Sequence, residues 1–367
     1  MPLAPDSPGQ LAPHHKRTVA LTITVTLVVL ALVTGLGVVL LYRHLDDKIQ
    51  AGGRIHHHAK MSHADTPTSA LNILVMGSDT RDCRGCGIDN QKGENGSDTT
   101  ILIHVRSGRR SAYGISIPRD TLVDRPACHP EGKPVVPAQK DVMWNAAFSV
   151  GGPECTVEQV EAVTGIRIDD YITVNFGGFK DMVDAVGGVQ VCLPQAVDDT
   201  KAHIHLPAGT QTLDGTKALA YVRERKAIGD GSDIGRMKRQ QSFVASLIKK
   251  VVSAGTLSRP DRLYRFANAL AGSIQTSPDL ASPGALVELA NSLRHAELTH
   301  IRFITAPNVA FPENSPNWGR LEFTPATARL WKRVIADKPL GRFGRGAISA
   351  NKPKGNKSDA AAAGLCG

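Results

Sequence analysis

From Val19 to Tyr42 the chain runs for 24 residues without a charged side chain. As a helix rising 1.5 Å per residue this is about 36 Å long, enough to cross a hydrocarbon layer of about 30 Å. Such a segment is expected to divide the chain between two sides of a membrane. His14, His15, Lys16 and Arg17 precede it, whereas Arg43, Asp46, Asp47 and Lys48 follow with mixed sign. The positive-inside rule then puts the N-terminus in the cytoplasm and everything after Arg43 outside it. The apolar stretch exceeds the roughly 7–15 residues of a signal-peptide core, and no A-x-A-like site follows, so retention as an anchor is expected.

Patterning divides the rest. Residues 1–18 read as a disordered cytoplasmic tail, 19–42 as the membrane helix and 43–68 as an extracytoplasmic stalk. The histidines of the stalk, His56, His57, His58 and His63, are read there as solvated rather than metal-binding. An ordered domain is expected over 69–340, and 341–367, rich in Gly, Ala and Lys, as a flexible tail. Inside the domain, Leu71–Gly77, Thr99–Val105 and Tyr113–Ile117 are short, nearly continuous apolar runs typical of strands buried on both faces. Further strands are expected at Tyr171–Val174, Val189–Leu193 and Ile301–Ile304. Helical spacing marks Val157–Val163, Phe179–Val186, Thr324–Val334 and a long amphipathic helix from Arg236. The alternation implies α/β layering.

Lys and Arg total 43 against 34 Asp and Glu, a net +9, which favours an anionic partner such as phosphate, a teichoic-type polymer or a membrane surface. Nucleic acid is disfavoured, since only the short N-terminal tail is expected in the cytoplasm. The six cysteines, Cys83, Cys86, Cys128, Cys155, Cys192 and Cys366, are compatible with export and disulfides. The Cys83-x-x-Cys86 pair lacks the second pair a zinc site needs and reads as a loop staple, and Cys128 is expected to pair with Cys155.

The chemistry-bearing residues recur at the ends of the predicted strands. The first strand runs into Gly77-Ser78-Asp79-Thr80-Arg81, a carboxylate and a guanidinium just beyond a strand's carboxyl end, where open α/β sheets bind ligands. The next strand begins with Ser97-Asp98-Thr99, and a third leaves through Pro118-Arg119-Asp120. Asp79 and Asp98 are oxygen donors suited to a hard divalent cation. Tyr221-Val222-Arg223-Glu224-Arg225 reads as extended or irregular, with both guanidiniums on one side. Arg236, Arg239 and Gln240 fall on one face near a helix N-terminus, where donors and the positive dipole end converge. Fixed arginine forks, carboxylates and a helix start suit a pyrophosphate with Mg2+, although surface salt bridges would use the same residue types.

The blocks NILVMGSDTR from Asn72, SDTTILIHV from Ser97, SIPRDT from Ser116, FGGFKDMVDAVGGVQV from Phe176 and LDGTKALAYVRERK followed by GRMKRQQ together resemble, in order and spacing, the LytR-CpsA-Psr family. The resemblance implies a three-layer α/β/α domain with a central mixed sheet and a hydrophobic pocket for a polyprenyl chain. It also implies an enzyme that moves a phosphoglycopolymer from a polyprenyl pyrophosphate carrier to a peptidoglycan hydroxyl, leaving a phosphodiester. By that similarity Asp79 and Asp98 hold Mg2+ (or Mn2+), Arg119, Arg223 and Arg225 grip the pyrophosphate, and Arg236 with Gln240 completes the site. The catalytic set is then Asp79, Asp98, Arg119 and Arg225, with an aspartate near the metal as base.

Two departures bear on that expectation. Gly96 stands where relatives commonly carry Arg before Ser-Asp-Thr, so that cation is either absent or supplied by Arg81 or Arg84. Met143-Trp144-Asn145 replaces a Lys-Ile-Asn block. The alternatives are a polyprenyl-pyrophosphate-binding wall protein with little or no transfer, a membrane-bound transcriptional attenuator, and a pyrophosphatase activity with water as acceptor.

Overall fold

The computed structural model describes residues 13–58, 69–79, 96–200, 204–253, 259–293, 296–353 and 357–366, in two units, Met1–Asp47 and Lys48–Gly367. Arg81, Cys83, Cys86 and His63 lie outside the described residues. The first unit is helix α1 (Pro13–Asp46), and its stretch Arg17–Asp46 is long and apolar enough to cross a membrane. Its threonines return their hydroxyls to the preceding turn, as in Thr24 to Ala20 O (2.9 Å), Thr26 to Thr22 O (2.8 Å) and Thr34 to Leu30 O (2.7 Å). These hydroxyl donors are thereby satisfied within the helix.

The second unit runs β1 (Gln50–Ala51), β2 (Leu71–Ser78), β3 (Ser97–Val105), β4 (Ala112–Ile117), β5 (Leu122–Arg125), β6 (Gln139–Met143), α2 (Ala146–Thr164), β7 (Asp170–Asn175) and α3 (Phe176–Ala185). There follow β8 (Val189–Leu193), β9 (Val197–Asp199), β10 (Ile204–Leu206), β11 (Gly209–Leu213), α4 (Gly215–Arg223), α5 (Asp233–Ser253), α6 (Pro260–Ala271), β12 (Ile274–Thr276) and α7 (Pro283–Leu293). The chain closes with β13 (Ile301–Thr305), β14 (Asn308–Ala310), β15 (Leu321–Phe323), α8 (Pro325–Ile335), β16 (Ile348–Ser349) and α9 (Lys357–Ala362).

The main sheet has the order β1-β12-β7-β2-β3-β4-β13-β16. Strand β2 is parallel to β7 and antiparallel to β3, which is antiparallel to β4, itself parallel to β13. The carboxyl ends of β2, β4 and β7 and the amino end of β3 therefore share one end of the sheet. On one face Leu74, Met76, Leu102 and Ile115 pack with Trp144, Val160, Leu330 and Trp331 of the α2 and α8 layer. On the other, Ile103 and Phe303 meet Val244 and Ile248 of α5. This is the expected three-layer α/β/α arrangement with a mixed sheet.

Helix α2 breaks at Gly152 (φ 71°, ψ −157°) and restarts at Pro153, whose fixed φ suits a first helical turn. Cys155 in that turn pairs with Cys128 as expected. Glycines explain part of the FGGFKDMVDAVGG block. A Cβ on Gly178 would lie 2.5 Å from the Ser273 Cα, and one on Gly215 2.3 Å from the Lys180 carbonyl oxygen. Neither α3 nor α4 could approach its neighbour with a larger residue there.

Two boundaries differ from expectation. Part of the stalk is docked, not solvated. Strand β1 pairs with β12, Ile49 is buried, and acidic side chains hold the main chain: Glu154 Oε1 accepts from Gly53 N (2.9 Å), Glu131 Oε2 from Arg54 N (2.7 Å) and Glu161 Oε2 from His58 N (2.8 Å). His57 Nδ1 meets Glu161 Oε1 at 2.8 Å, so this histidine is a docking group. Described parts of 341–366 are likewise docked where a flexible tail is expected. Strand β16 extends the sheet at β13, Ala360, Ala363 and Leu365 enter the second core with Tyr221 and Phe243, and Cys366 is bonded to Cys192.

Asp337 clasps the end of α8 to the β3–β4 turn. Its Oδ2 accepts from Ser107 Oγ (2.6 Å) and N (3.2 Å), and its Oδ1 lies 3.0 Å from His104 Nε2. Burial would raise this carboxyl, but those bonds outweigh it and hold it below 3.8. A depressed carboxyl stabilises the fold above the unfolded value and loses that contribution as pH falls through the folded value. Asp337→Asn suits the positive φ of 47° and should lower stability at neutral pH while flattening the acid limb below about pH 4. Denaturant unfolding against pH checks this, and an unchanged acid limb would exclude the clasp as a major contributor.

Candidate functional site

Asp79 follows β2, Asp98 sits in the first turn of β3, Arg119 follows β4, and α5 begins with Asp233 and Arg236 at the same end of the sheet. The Asp79 amide donates to Gly96 O at 2.9 Å, which brings the first carboxylate against the strand end that carries the second. Arg119 leaves β4 on a clamped main chain: Asn145 N donates to Arg119 O (3.3 Å), Leu321 N to Asp120 O (3.1 Å) and Trp144 N to Thr121 O (2.8 Å). The Met143-Trp144-Asn145 departure thus supports Arg119 through its backbone, with the Trp144 ring fully buried beneath.

The charges interlock. Arg119 Nη1 donates to Asp98 Oδ1, and Arg119 Nε lies 3.6 Å from Asp120 and 3.8 Å from Asp233. Arg236, only 2 % exposed, lies 2.5 Å from Asp233 Oδ1 and 4.0 Å from Asp98 Oδ2, and Arg225 lies 4.0 Å from Asp233. Burial alone would raise the Asp98 carboxyl, but Arg119, Arg236 and Arg225 hold it below the usual carboxylate range. Burial likewise pulls at Arg119, yet Asp98, Asp120 and Asp233 raise its affinity for its proton. At Arg236 burial prevails and lowers it.

Arg236 Nη2 is already paired with Asp233 Oδ1, whereas among the described residues Arg119 Nε and Arg236 Nε are buried without a hydrogen bond. Buried guanidinium N–H groups of this kind are costly unless an acceptor arrives, and an oxyanion with several oxygens is such an acceptor.

Behind this cluster lies a cavity of about 200 Å³ between the sheet and α3, α4 and α5. Its walls are Val75, Ile101, Phe179, Leu219, Val222 and Leu247, and Asp98, Arg223, Arg236 and Gln240 also line it. Arg223 stacks over the Phe176 ring, 4.6 Å from its centroid. Gln240 donates to Val222 O (3.2 Å) and meets Thr99 Oγ1 at 3.3 Å. The volume is below the roughly 300–1,000 Å³ of pockets that enclose whole small ligands, so it suits one end of a longer apolar chain.

Of the sequence-predicted residues, Asp79, Asp98, Arg119, Arg225, Arg236 and Gln240 gather here, with Arg223 at the cavity wall. Arg81 lies outside the described residues. Two expectations need correction. Arg223 and Arg225 do not share one side of an extended segment, because α4 runs to Arg223 behind the N-cap Asp214, which accepts from Lys217 N at 2.8 Å. Arg239 does not join the site. It is fully buried and donates to the carbonyls of Tyr221 (3.1 Å), Ile228 (3.2 Å), Ala363 (3.3 Å) and Glu224. Asp233 and Asp120 were not foreseen as site residues, nor was Arg320, 3.7 Å from Asp120. The i, i+3 spacing of Asp233 and Arg236 was the available signal.

The LytR_cpsA_psr family model matches residues 41–328. The "Probable cell wall biosynthesis protein LcpB" of Corynebacterium glutamicum is 38% identical over 205 residues, 54% of this chain and 46% of that protein. The "Polyisoprenyl-teichoic acid--peptidoglycan teichoic acid transferase TagV" of Bacillus subtilis is 33% identical over 250 residues, 65% of this chain and 59% of that protein. The chain thus spans about half the length of these curated relatives. The solved "LytR-Csp2A-Psr enzyme from Actinomyces oris" has the same fold, with a TM-score of 0.57 at 23% identity over 78% of this chain and 96% of its own.

Arg239→Met strips donors from four carbonyls without touching the charge cluster. It should cost about 3 kcal/mol or more of unfolding free energy, read by denaturant unfolding of the detergent-solubilised chain. Undiminished stability would mean that Arg239 is not a structural strut.

Proposed function

The chain belongs to the LytR-CpsA-Psr family, and from that premise we propose that it is a membrane-anchored phosphotransferase moving a phosphoglycopolymer from a polyprenyl pyrophosphate to a peptidoglycan hydroxyl. One observation carries the reading: an apolar cavity adjoins the arginine–aspartate cluster, with Asp98, Arg223, Arg236 and Gln240 on its wall. Its two chemistries correspond to the two halves of a lipid pyrophosphate, a hydrocarbon tail and an anionic head.

The acceptor oxygen attacks the phosphorus that bears the glycopolymer. A new P–O bond forms, the bond to the bridging oxygen breaks, and polyprenyl monophosphate leaves. The acceptor's proton passes to a carboxylate of the cluster. Arg119, Arg225 and Arg236 neutralise the phosphate oxygens, and Arg223 and Gln240 hold the join between head and tail. Such reactions depend on positioning and charge neutralisation more than on covalent chemistry by the protein. The oxygen donors Asp79 and Asp98 fit a hard divalent cation. Mg2+ or Mn2+ held there would supply further charge neutralisation. With water as acceptor the same site would act as a pyrophosphatase.

Two features support an extracytoplasmic catalytic unit with a cytoplasmic N-terminus. Lys16 and Arg17 stand at the N-terminal end of α1, whereas Arg43 and Lys48 near its other end are offset by Asp46 and Asp47, and disulfides Cys128–Cys155 and Cys192–Cys366 suit an oxidising compartment.

The full chain in detergent, given a polyprenyl-pyrophosphate oligosaccharide, Mg2+ and peptidoglycan fragments, should yield a phosphodiester-linked conjugate and polyprenyl monophosphate by mass spectrometry. Asp98→Ala and Arg225→Ala should each reduce the rate about 100-fold or more. Leu219→Trp, which fills the cavity, should abolish use of long-chain donors while sparing short-chain ones. Donor binding without either product, across several donors, would replace transfer by the binding-protein reading.

A further inference from the structure

A second cavity, of about 330 Å³, opens at the opposite end of the sheet, where β4 and β13 begin. Strand β4 is six residues long, so this cavity lies about 20 Å from the Arg119 end. Arg106, Arg110, Arg302 and His300 line it, and Tyr113 and Leu340 form a buried floor. Among the described residues no carboxylate lines it. A third fixed guanidinium, Arg333, donates through Nε and Nη2 to the carbonyl of Pro339 (2.8 and 2.5 Å), itself a wall residue.

Two of these arginines are held by main-chain carbonyls. Arg106 donates through Nε and Nη2 to Asp337 O (3.2 and 3.0 Å), and Arg302 Nε to Thr299 O (3.3 Å). Main-chain carbonyls fix a guanidinium without cancelling its charge. Asp337 Oδ1 lies 3.5 Å from Arg106 and offsets that charge, which leaves Arg110 and Arg302 as the net cationic groups of the lining. Glu297 lies 3.6 Å from His300. This is a preorganised anion pocket with a net cationic lining.

We infer that this pocket binds phosphodiester groups of an anionic wall polymer, at a site separate from the catalytic cluster. That the phosphates belong to a polymer rests on the proposed function; the anion chemistry does not. A concave pocket whose floor, Tyr113 and Leu340, is 4–5 % exposed presents no protruding apolar anchor, which a lipid surface would need.

The test uses the full chain in detergent, poly(glycerol phosphate) as probe, and hydrogen exchange read by mass spectrometry, which reports each end of the sheet separately. The probe should slow exchange in peptides spanning 106–113 and 298–304. Arg110→Ser/Arg302→Ser, two exposed positions, should remove that protection and weaken binding about tenfold at 0.15 M salt. Arg119→Ala should leave the protection intact while reducing transfer, so the two sites fail independently. Protection that survives the double substitution, or none at these peptides, overturns the pocket. Equal protection by phosphatidylglycerol vesicles without polymer, or by inorganic phosphate alone at the same phosphate concentration, overturns the polymer as its ligand.

Discussion

Burying a guanidinium is the constraint around which the active end of this fold is arranged. Arg236 is 2 % exposed, and a charge so removed from water is tolerated only with counter-charges in place. Asp233 comes from one turn earlier on α5, and Asp98 from the start of β3, which only the antiparallel β2–β3–β4 pairing brings to the same end as Arg119. Removing one member would leave the others as uncompensated buried charges. The cluster therefore ties α5 to the sheet and fixes the position of every donor a phosphate would meet.

The compensation is incomplete, and that is what gives it a use. The Nε groups of Arg119 and Arg236 are buried without a hydrogen bond, although both guanidiniums are ion-paired through their other nitrogens. A site already saturated would have to break its own hydrogen bonds to admit an anion. Here the unspent donors lower that cost, while the depressed Asp98 carboxyl keeps its charge over the whole neutral range. Because the cavity wall is built by α3, α4 and the same α5, the apolar and the ionic surfaces are rigidly joined.

How much of this was legible in the sequence follows from where each signal resides. The runs at β2, β3 and β4 are unbroken because those strands are covered on both faces, and a continuous β-branched run has few other readings. Their flanking Asp and Arg could then be placed by strand polarity alone. Arg223 and Arg225 were misread because Tyr221–Arg225 carries no period of its own. The deciding signal was the N-cap Asp214, nine residues upstream of Arg223. The segment 341–367 looked like a linker because it docks through alanines and one disulfide rather than large periodic side chains. The docking of residues 50–58 depends on Glu131, Glu154 and Glu161, remote carboxylates that no local pattern reveals. The cavity was invisible for a different reason: apolar residues that line a void and those that fill a core recur with the same period.

The two ends of the sheet show how one residue type serves different ends according to what compensates it. At the α5 end the arginines face aspartates, so the field is largely balanced, and a pyrophosphate bound there as proposed would meet both charge neutralisers and carboxylates. At the β4–β13 start Arg106 and Arg302 rest on carbonyl oxygens, with one carboxylate, Asp337, beside Arg106. The first arrangement contains what phosphoryl transfer requires. The second has only what anion binding requires. A polymer carrying phosphates along its length could then be held by several of them while reacting at one, with the sheet itself, about 20 Å long in this direction, as the rigid spacer between the two sites.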